Sequence, residues 1–458
     1  MTLIDTVPGF GAVLTALAAE LDIDLPIQQL TARLGPPLDL LLQPYLPAEA
    51  IPAAVDRFRA IYPDLSITTV PVLPGAHEAL ASVRAHSGRS LVVTGKFTAN
   101  AQRHLDHLGL DVDLLEGQVW GVGKADALRR EGAAVYVGDH IHDVEGARAA
   151  GVVSVSVLSG GCTREELLEA GTHVVLEDLT QFPAWLDEYV LTMRLGALEA
   201  DLRGRGSVLV AYSGGADSAF LLAAAVRALG ADRVVAATGY SDSLPQTERG
   251  PAAEFARRLG VELLTPVTHE IERDGYRANG PDRCFFCKAE LLDTLVPLAE
   301  ERGLAFVATG TNADDAVAGF RPGIRAAHER GAVAPLRDAG LTKAQVREAS
   351  RRWGLPTWAK PAAACLSSRV AYGLEITPAR LGRVERAEAA VRAVLADRGL
   401  RDLRVRDLGD RARIEVDDDL LPLAADLGDT VVSAALTAGF GEAFVAPFRS
   451  GSMNDPLR

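Results

Sequence analysis

The stretch Val208-Leu-Val-Ala-Tyr-Ser213-Gly214-Gly215-Ala-Asp217-Ser218 joins an apolar run directly to a Ser-Gly-Gly-x-Asp-Ser turn, and a helix rich in alanine and leucine follows. The glycines allow the backbone to come close to a ligand, and the helix start offers free amides beside two hydroxyl groups. An ordinary glycine turn is the alternative, but the flanking polar residues stand at the offsets that a phosphate site needs. We therefore predict an α/β domain whose anion site comprises Ser213, Gly214, Gly215, Asp217 and Ser218.

A Walker-type loop is another kind of loop that binds nucleotide phosphates, and the sequence does not contain one. Neither Gly95-Lys96 nor Gly123-Lys124 has the upstream glycine and the trailing hydroxyl residue that such a loop requires. The Ser-Gly-Gly-x-Asp-Ser turn instead resembles the N-type ATP pyrophosphatase, or PP-loop, superfamily. That resemblance implies cleavage of ATP into AMP and pyrophosphate, with activation of a substrate carboxylate or carbonyl by adenylation.

Length, composition and charge limit the other possibilities. The chain has 458 residues, 48% of them hydrophobic, and a formal net charge of -14, which predicts two or three globular domains. No apolar run approaches the ~20 residues of a membrane span. The start Met1-Thr-Leu-Ile-Asp5 lacks the basic residues of a secretory signal, so we expect a cytoplasmic protein without a membrane partner. The acidic balance disfavours nucleic acid, because neutralising phosphates takes clustered Lys and Arg.

The first predicted domain covers residues 1–190. Its strand-like runs Ser90–Gly95, Ala134–Asp139 and Val152–Val157 are each followed by helical segments, which predicts a parallel sheet covered by helices. Residues from about 10 to 75 are helical in pattern.

One motif of this domain points to a family. The segment Tyr136–Gly151 resembles the last motif of haloacid dehalogenase-like (HAD) phosphatases, and Thr94 and Lys124 match that family's phosphate-binding hydroxyl and lysine. The resemblance implies a doubly wound sheet, with the helices of residues 10 to 75 as its small cap.

The first HAD motif, Asp-x-Asp-Gly-Thr-Leu, is incomplete, since this chain opens Met1-Thr2-Leu3. Both catalytic aspartates would lie upstream of Met1. We therefore expect no phosphatase activity from this polypeptide as written, and no Mg²⁺ at Asp139 and Asp143 without the missing carboxylate. Loss of the first strand should also leave a parallel sheet with an unpaired edge.

The second predicted domain covers residues 191–375 and repeats the doubly wound pattern, with strands at Arg233–Thr238, Val261–Leu264 and Leu304–Thr309. Ligands bind at the carboxyl ends of such strands. The last of these strands is followed by Gly310, a candidate ATP-binding residue. The run that begins there supplies Asp314 and Asp315, which with Asp217 are the candidate ligands of Mg²⁺ on the ATP phosphates.

Cysteines form the second chemical feature. Arg283-Cys284-Phe-Phe-Cys287-Lys288 opens a helix, and a CxxC of this kind is half a zinc site, a redox pair or a pair of reactive thiols. The helix start and its two flanking cations should lower a thiol pKa. Cys365 is the candidate third ligand, whereas Cys162 is expected to be inert.

Five separated motifs together resemble the LarE family of ATP-dependent sulfur transferases, from about residue 191 to the C-terminus. They are Ser213–Ser218, Arg283–Lys288, Gly310–Asp315, Arg321–Gly323 and Ala364–Arg369, and Gly451-Ser-Met-Asn454 looks like the family's tail.

The resemblance implies adenylation of pyridinium-3,5-biscarboxylic acid mononucleotide and its conversion to a thiocarboxylate for a nickel-pincer cofactor. In one version of the family a sacrificial cysteine donates its sulfur. In another, three cysteines hold a 4Fe–4S cluster that carries the sulfide. With Cys284, Cys287 and Cys365 all present we favour the cluster, and under the sacrificial version we favour Cys284.

The remaining predictions concern the substrate, the tail and the assembly. The candidate ligands of the substrate phosphate and carboxylates are Arg321, Arg325, Ser368 and Arg369. Residues 376–458 predict a small α+β unit of one amphipathic helix and short alternating strands. LarE proteins form homo-oligomers, so we expect a homo-oligomer here, without a defined number of subunits.

Three other functions compete with this one. A tRNA thiolase also combines a PP-loop with paired cysteines, but it would need a basic face. An amidating synthetase would have no use for the cysteine trio. A non-catalytic scaffold of two decayed enzyme domains agrees with the missing HAD aspartates and conflicts with the intact Ser-Gly-Gly loop.

Overall fold

The computed structural model describes residues 1–449 except 33, 35, 318, 320, 362, 363 and 397, and it describes only the backbone at 425. The chain divides into two compact units, Met1–Val190 and Leu191–Arg458. The sequence-based division at residues 190 and 375 into three domains stays a prediction. Within the described ranges no single helix is long and apolar enough to cross a membrane, while one bent helix pair, Asp418–Ala424 with Gly428–Thr437, meets that test by length and composition.

Unit Met1–Val190 contains two short parallel sheets. Strands β1 (Leu91–Val93) and β2 (Leu114–Glu116) form one, and β3 (Val135–Gly138), β4 (Val153–Val157) and β5 (Val174–Leu176) form the other in that order. In the part of the chain that the structure describes, β1 pairs only with β2 and β3 only with β4. The unpaired edge that we predicted therefore occurs twice, on either side of a split sheet.

The helices of this unit fall into two groups. The first four are α1 (Val7–Leu21), α2 (Ile27–Ala32), α3 (Leu38–Leu42) and α4 (Ile51–Ser66). They pack around their own apolar core, as the helical pattern over residues 10 to 75 predicts. The others alternate with the strands: α5 (Ala76–Ala85), α6 (Thr98–Leu108), α7 (Lys124–Arg130), α8 (Ile141–Ala150), α9 (Arg164–Glu169) and α10 (Phe182–Arg205), which runs across the unit boundary.

Two buried serines in β4 show how polar groups are accommodated in this sheet. Ser154 and Ser156 lie in a strand whose neighbouring valines are buried, and both hydroxyls bond to the Thr172 hydroxyl, at 3.2 and 2.9 Å. A buried hydroxyl without a partner would be costly. The alternating Val-Ser pattern is therefore compatible with a strand covered on both faces.

Unit Leu191–Arg458 is built on a parallel sheet of four strands in the order β8-β7-β6-β9. The strands are β6 (Val208–Ala211), β7 (Val234–Ala237), β8 (Glu262–Leu264) and β9 (Val307–Thr309). All residues of β6 are buried, as expected for a central parallel strand with helices on both faces. The Ser-Gly-Gly turn follows β6, so the phosphate site lies at the middle of the sheet's carboxyl edge.

The helices of this unit include one that carries the CxxC motif. That helix is α14 (Arg283–Glu301), which begins where the sequence predicts. The others are α11 (Ala216–Leu229), α12 (Gln246–Arg258), α13 (Asp274–Arg277), α15 (Ala313–Val317), α16 (Pro322–Glu329), α17 (Pro335–Asp338), α18 (Lys343–Arg352), α19 (Pro378–Val394), α20 (Leu421–Asp426) and α21 (Gly428–Thr437).

A second sheet closes the unit. Strands β10 (Leu403–Asp407) and β11 (Arg411–Val416) are antiparallel, and β12 (Glu442–Pro447) pairs in parallel with β11. The apolar core of this sheet also includes Tyr276, and Phe286 and Cys287 pack against it. The C-terminal sheet thereby helps to position the start of the cysteine-bearing helix α14.

Candidate functional site

The loop Ser213–Ser218 has the geometry of an anion cradle. Gly214 has a φ of 72°, a left-handed conformation that glycine adopts without steric cost. The Ser213 amide donates to the Ser218 hydroxyl at 3.2 Å, and the two hydroxyls lie 3.1 Å apart. Helix α11 begins directly after Gly215, so its free amides point toward this loop.

Gly310 brings the end of β9 against the start of α11. A β-carbon at Gly310 would lie 2.8 Å from the Ser218 amide nitrogen and 2.9 Å from the Ser218 Cα. Such distances require the backbone to move. Only glycine therefore permits this approach. Gly310 lines the same cavity as the Ser-Gly-Gly loop, and its role in ATP binding stays a prediction.

The predicted magnesium ligands separate into two groups. Asp217 and Asp315 line the same cavity, whereas Asp314 accepts a hydrogen bond from the Lys343 amide at 2.7 Å and serves the start of α18. The Asp217 Oδ1 atom is buried without a hydrogen-bond partner. Burial raises the pKa of the Asp217 carboxyl, and Lys343 partly opposes that rise. A buried carboxylate oxygen without a partner suits a cation, and Mg²⁺ needs only one or two carboxylates beside phosphate oxygens.

Three positively charged side chains in the lining of the cavity were not predicted from sequence. Lys343, Arg347 and Lys360 all line the cavity. The Lys360 ammonium donates to the Gly214 carbonyl at 2.9 Å and to Glu248 at 2.5 Å, and Arg347 donates to the Lys360 carbonyl at 2.9 Å. The residues stand more than 100 positions from the loop in sequence, and no motif marked them. Their positive charge complements the phosphates of a nucleotide.

The cavity joins the Ser-Gly-Gly loop to two of the cysteines. It has a volume of about 420 Å³, and its lining includes the loop, Gly310, Cys287, Lys288 and Cys365. Cys284 is exposed and is absent from the described lining. Cys287 and Cys365 therefore share a cavity with the phosphate loop, whereas Cys284, which the sequence favours under the sacrificial version, is not in the described lining.

The expected lowering of the thiol pKa values is wrong for the CxxC pair. Partial desolvation of the Cys284 thiol, followed by the neighbouring Cys365 thiol, raises the pKa of Cys284, and Arg283 only partly opposes this. Burial also raises the pKa of Cys287 well above its ordinary value, reinforced by Glu270. Desolvation disfavours the charged thiolate, and sequence alone does not reveal it.

A cluster would need the three sulfur atoms to converge on one position. Across the ranges that the structure describes, no group of three or more His, Cys, Asp or Glu side chains is close enough to hold a metal ion. A cluster at Cys284, Cys287 and Cys365 stays a prediction from ligand count.

Arg369 lies inside the protein. Its guanidinium pairs with Glu388 at 2.9 Å and donates to the carbonyl oxygens of Ala364 and Cys365, the latter at 2.8 Å. The Ser368 hydroxyl donates to the same Cys365 carbonyl at 2.7 Å. These contacts favour a role for Arg369 and Ser368 in positioning the Cys365 loop, and their predicted role as substrate ligands stays a prediction.

The other two predicted substrate ligands are exposed. Arg321 lies 3.8 Å from Asp315, and Arg325 lies 3.6 Å from Glu329 with its guanidinium over the Phe285 ring. Exposed pairs of this kind are weak and leave the guanidinium groups accessible. The structure brings Arg321 near the cavity through Asp315, and both arginines remain candidate substrate ligands.

Two charged side chains, the buried Glu270 and the half-buried Lys288, also line the cavity. Glu270 accepts hydrogen bonds from Ser241 at 2.6 Å and Ser243 at 2.8 Å. Burial lowers the pKa of the Lys288 ammonium, which Cys287 only partly offsets. A lowered pKa increases the share of the neutral amine, which is the form that accepts a proton. Its position directly after the CxxC motif is the one signal that could have revealed it.

The HAD-like residues of the first unit also come together. Lys124 donates to Asp143 at 2.6 Å and to the Tyr136 hydroxyl at 3.0 Å. Asp139 accepts a hydrogen bond from the Thr2 hydroxyl at 2.9 Å and pairs with the amino group of Met1. Asp139 and Asp143 are the two carboxylates that we expected to be insufficient for Mg²⁺ binding. In the structure both accept hydrogen bonds from other residues of the first unit.

Comparison with known proteins gives separate matches for the N-terminal and the C-terminal parts of the chain. A model of haloacid dehalogenase-like hydrolases matches residues 9–148, and a HAD-hydrolase-like model matches residues 119–182. An uncharacterised protein of Synechocystis sp. is 44% identical over 208 residues, which cover 45% of this chain and 75% of that protein. The pyridinium-3,5-bisthiocarboxylic acid mononucleotide synthase of Lactiplantibacillus plantarum, a LarE protein, is 32% identical over 269 residues, 58% of this chain and 96% of that protein. The chain belongs to the LarE family.

The resemblance to LarE that the sequence motifs indicate is thus confirmed, and a HAD-like segment precedes the LarE part. Among solved structures, a haloacid dehalogenase-like hydrolase from Streptococcus pneumoniae matches 40% of this chain and 93% of its own, with 22% identity and a TM-score of 0.37. The LarE tail sequence Gly451-Ser-Met-Asn454 lies outside the described residues.

Proposed function

We propose that unit Leu191–Arg458 is an ATP-dependent sulfur transferase that adenylates pyridinium-3,5-biscarboxylic acid mononucleotide and converts its carboxylate to a thiocarboxylate. One observation carries the proposal: a single cavity contains the Ser-Gly-Gly loop, Asp217 and the thiols of Cys287 and Cys365. The relation to the bisthiocarboxylic acid mononucleotide synthase supports this substrate.

The first step is adenylation. The substrate carboxylate attacks the α-phosphorus of ATP, the bond to the β-phosphate oxygen breaks, and pyrophosphate leaves. In this PP-loop interpretation, the amides at the start of α11 and the cations Lys343, Arg347 and Lys360 hold the phosphates. Asp217 and Asp315 would hold Mg²⁺, which when bound neutralises charge on the phosphate oxygens.

The second step is thiol attack. The Cys365 sulfur, as thiolate, attacks the acyl carbon of the adenylate, forming a thioester and releasing AMP. The Cα proton of Cys365 is then removed, and the bond between the Cys365 Cβ and its sulfur breaks. This elimination leaves the thiocarboxylate on the product and dehydroalanine at position 365. Lys288 lines the same cavity, and its lowered pKa makes it a suitable acceptor for a proton in this step.

The donor assignment follows from position. Cys365 lines the cavity on a loop that Arg369 and Ser368 hold through its carbonyl oxygen. Cys284 is exposed and is not part of the described cavity lining. We therefore assign the sulfur donor to Cys365, and we expect Cys287 to support it. A homo-oligomer remains part of the proposal, to be checked by light scattering.

Pyrophosphate release and peptide mass spectrometry together test this function. The purified full chain is incubated with ATP, Mg²⁺ and the pyridinium dicarboxylate mononucleotide. We expect substrate-dependent pyrophosphate release, thiolated product, and loss of the elements of H₂S from the Cys365 peptide. Cys365→Ser should keep pyrophosphate release and lose thiolated product, while the matched variant Cys162→Ser should keep both.

Each other result contradicts part of the proposal. Thiolated product with every cysteine intact would assign the sulfur to a bound sulfide carrier. Conversion of Cys284, instead of Cys365, to dehydroalanine would identify Cys284 as the sulfur donor. Pyrophosphate release that needs tRNA or an amine acceptor, instead of the mononucleotide, would favour a tRNA thiolase or an amidating synthetase. No pyrophosphate release under any condition would favour a scaffold.

A further inference from the structure

Asn279 lies in front of the CxxC helix in a backbone conformation that is unusual for its residue type. It is fully buried, and its φ of 53° is in the left-handed region. Glycine adopts this conformation without steric cost, whereas a residue with a β-carbon does not. The contacts of the asparagine side chain must therefore offset that cost.

The Asn279 side chain holds the backbone that follows Cys365. We define the Cys365 loop as residues 365–374. The Asn279 Nδ2 atom donates to the carbonyl oxygens of Ala371 at 2.8 Å and of Leu374 at 2.9 Å. The backbone carbonyl of Asn279 accepts a bond from the Gly373 amide at 3.4 Å. A side-chain amide has two N–H donors, so both are available for the backbone of this one loop.

Arg283, the first residue of helix α14, contacts the same loop. Its guanidinium donates to the Asn279 Oδ1 atom and, at 2.9 Å, to the Ser367 carbonyl oxygen. The hydroxyl groups of Tyr276 and Ser367 lie 2.5 Å apart, and both side chains are buried. Three side chains within eight positions of the chain, at 276, 279 and 283, are thus bonded to the Cys365 loop.

Helical spacing extends this connection to the thiols. Arg283 and Cys287 are four residues apart in α14, so they lie on the same face of the helix. Because Arg283 is bonded to the Cys365 loop, this face of α14 is directed toward the loop. Cys287 and Cys365 line one cavity, whereas Cys284 is exposed and is not in the described lining. The hydrogen bonds of Asn279 therefore fix the loop of one cavity thiol against the helix of the other.

We propose that Asn279 is a positioning residue for sulfur transfer, which holds the Cys365 loop against the start of α14 so that the Cys365 thiol reaches the acyl adenylate. It acts through the loop backbone. The inference rests on the proposed function and adds a residue to its second step only. Adenylation should not depend on Asn279, because the phosphate loop Ser213–Ser218 makes none of these contacts.

Two variants of the full chain test the proposal. Asn279→Gly permits the same φ and removes the side chain. Asn279→Asp keeps its size and an acceptor for Arg283, and it replaces the donor group by an oxygen that repels the two loop carbonyls. The matched control is Asp22→Gly, since Asp22 has a φ of 52° at the end of α1 in the first unit.

The readout is the ratio of thiolated product to pyrophosphate released, with ATP, Mg²⁺ and the pyridinium dicarboxylate mononucleotide. Both Asn279 variants should keep the KM for ATP and release pyrophosphate within about twofold of the wild-type rate, because adenylation does not involve the loop. The ratio of product to pyrophosphate should fall by about tenfold or more, since a displaced thiol no longer meets the acyl carbon. Asp22→Gly should keep the wild-type ratio.

Amide hydrogen exchange gives a second readout that does not depend on the reaction. In Asn279→Gly, exchange over residues 366–374 should be faster than in the wild-type chain by about tenfold or more, because the loop has lost its side-chain anchor. Exchange in β6 (Val208–Ala211) should stay unchanged. Asp22→Gly should match the wild-type chain in both segments.

Three outcomes would overturn the proposal. A wild-type ratio of product to pyrophosphate in both variants would mean that Asn279 does not position the thiol. A wild-type ratio in Asn279→Asp alone would mean that the donor group is not what holds the loop. Equal loss of pyrophosphate and product, with faster exchange in β6, would assign Asn279 to general stability. If the wild-type chain itself releases no pyrophosphate with the mononucleotide, the proposed function fails, and that result is distinct from a failure at Asn279.

Discussion

Arg369 donates a hydrogen bond to the carbonyl oxygen of Cys365 at 2.8 Å. The guanidinium is buried and its charge is balanced by Glu388 at 2.9 Å, which also accepts a bond from the Val405 amide at 3.1 Å. The cysteine loop is thus connected through one arginine to helix α19 and to the C-terminal sheet. The orientation of a thiol in the second unit depends on packing well beyond its own sequence motif.

Replacement of Arg369 should reveal this connection. We expect Arg369→Met to lower the free energy of unfolding by about 3–5 kcal/mol, because it leaves Glu388 buried without its charge partner. The double variant Arg369→Met/Glu388→Gln should recover part of that loss. Urea unfolding measures the free energy of unfolding of the double variant and of the single variants Arg369→Met and Glu388→Gln. If the loss in the double variant equals the sum of the two single losses, the residues are not coupled.

The buried Asp217 carboxylate should lower stability while it supports activity. Because its folded-state pKa is raised, the folded chain binds the proton more tightly than the unfolded chain, so Asp217 makes stability fall as pH rises above the usual carboxyl range. At neutral pH and without Mg²⁺, we expect Asp217→Asn to increase the free energy of unfolding by about 0.5–2 kcal/mol. It should also slow pyrophosphate release by about 100-fold or more.

The control for that variant is Asp314→Asn, since Asp314 serves the start of α18 and is not part of the described cavity lining. It should retain most of the pyrophosphate release. Mg²⁺ with ATP should raise the melting temperature of the wild-type chain and of the Asp314 variant more than that of Asp217→Asn. Equal shifts in all three proteins would count against Asp217 as a magnesium ligand.

Gly310→Ala tests the close contact between β9 and α11. The added β-carbon would lie 2.8 Å from the Ser218 amide nitrogen, so we expect a loss of about 1–3 kcal/mol in unfolding free energy and weaker ATP binding. Gly250→Ala is the matched control, because a β-carbon there meets no atom within 4 Å and the position is helical. Denaturant unfolding and ATP titration should separate the two variants.

Thiol reactivity should follow the raised pKa values of the CxxC pair. We expect alkylation of Cys284 to keep rising with pH beyond the ordinary thiol value of 9.0, and Cys287 to lag further behind. Isotope-coded alkylation between about pH 7 and 10, read peptide by peptide, measures this. A plateau in Cys284 labelling on the acidic side of that value would restore the interpretation of an activated thiolate at the helix start.

The Lys124–Asp143 pair should stabilise the first unit over a broad pH range. Burial disfavours the charged form of both side chains. For Lys124, the interactions with Tyr136 and Asp143 outweigh burial, so its pKa is raised. For Asp143, the interaction with Lys124 outweighs burial, so its pKa is lowered. The contribution of Asp143 is therefore complete above its ordinary value of 3.8 and is lost as pH falls through its lower folded value. The contribution of Lys124 is complete below its ordinary value of 10.5 and is lost only as pH rises through its higher folded value.

We expect Lys124→Met to cost about 3–5 kcal/mol at neutral pH and much less in acid, where Asp143 is protonated. Urea unfolding of the wild-type chain and of the variant, compared at several pH values, checks this. A difference in unfolding free energy that does not change between neutral and acidic solution would mean that the lysine acts through packing alone.

Much of the fold could be predicted because local pattern determines it. The apolar runs before glycine turns became β1, β3, β4 and β6–β9, and the helical pattern of residues 10 to 75 became α1–α4. An unpaired strand edge was also expected in the first unit, and among the described strands β1 pairs only with β2 and β3 only with β4. Periodicity and turn residues carry this information within a few consecutive positions.

The sequence by itself determined the phosphate loop, the cysteine set and the LarE relationship, since each depends on neighbouring residues with fixed spacing. Only the tertiary structure decided which of these residues share a cavity. It brought Lys343, Arg347 and Lys360 into one cavity with the Ser-Gly-Gly loop and paired Arg369 with Glu388. It also placed Cys287 and Cys365, but not Cys284, in the described lining of that cavity. The physical reason is that burial, which sets thiol pKa values and the partners of a charge, arises from contacts between residues distant in sequence.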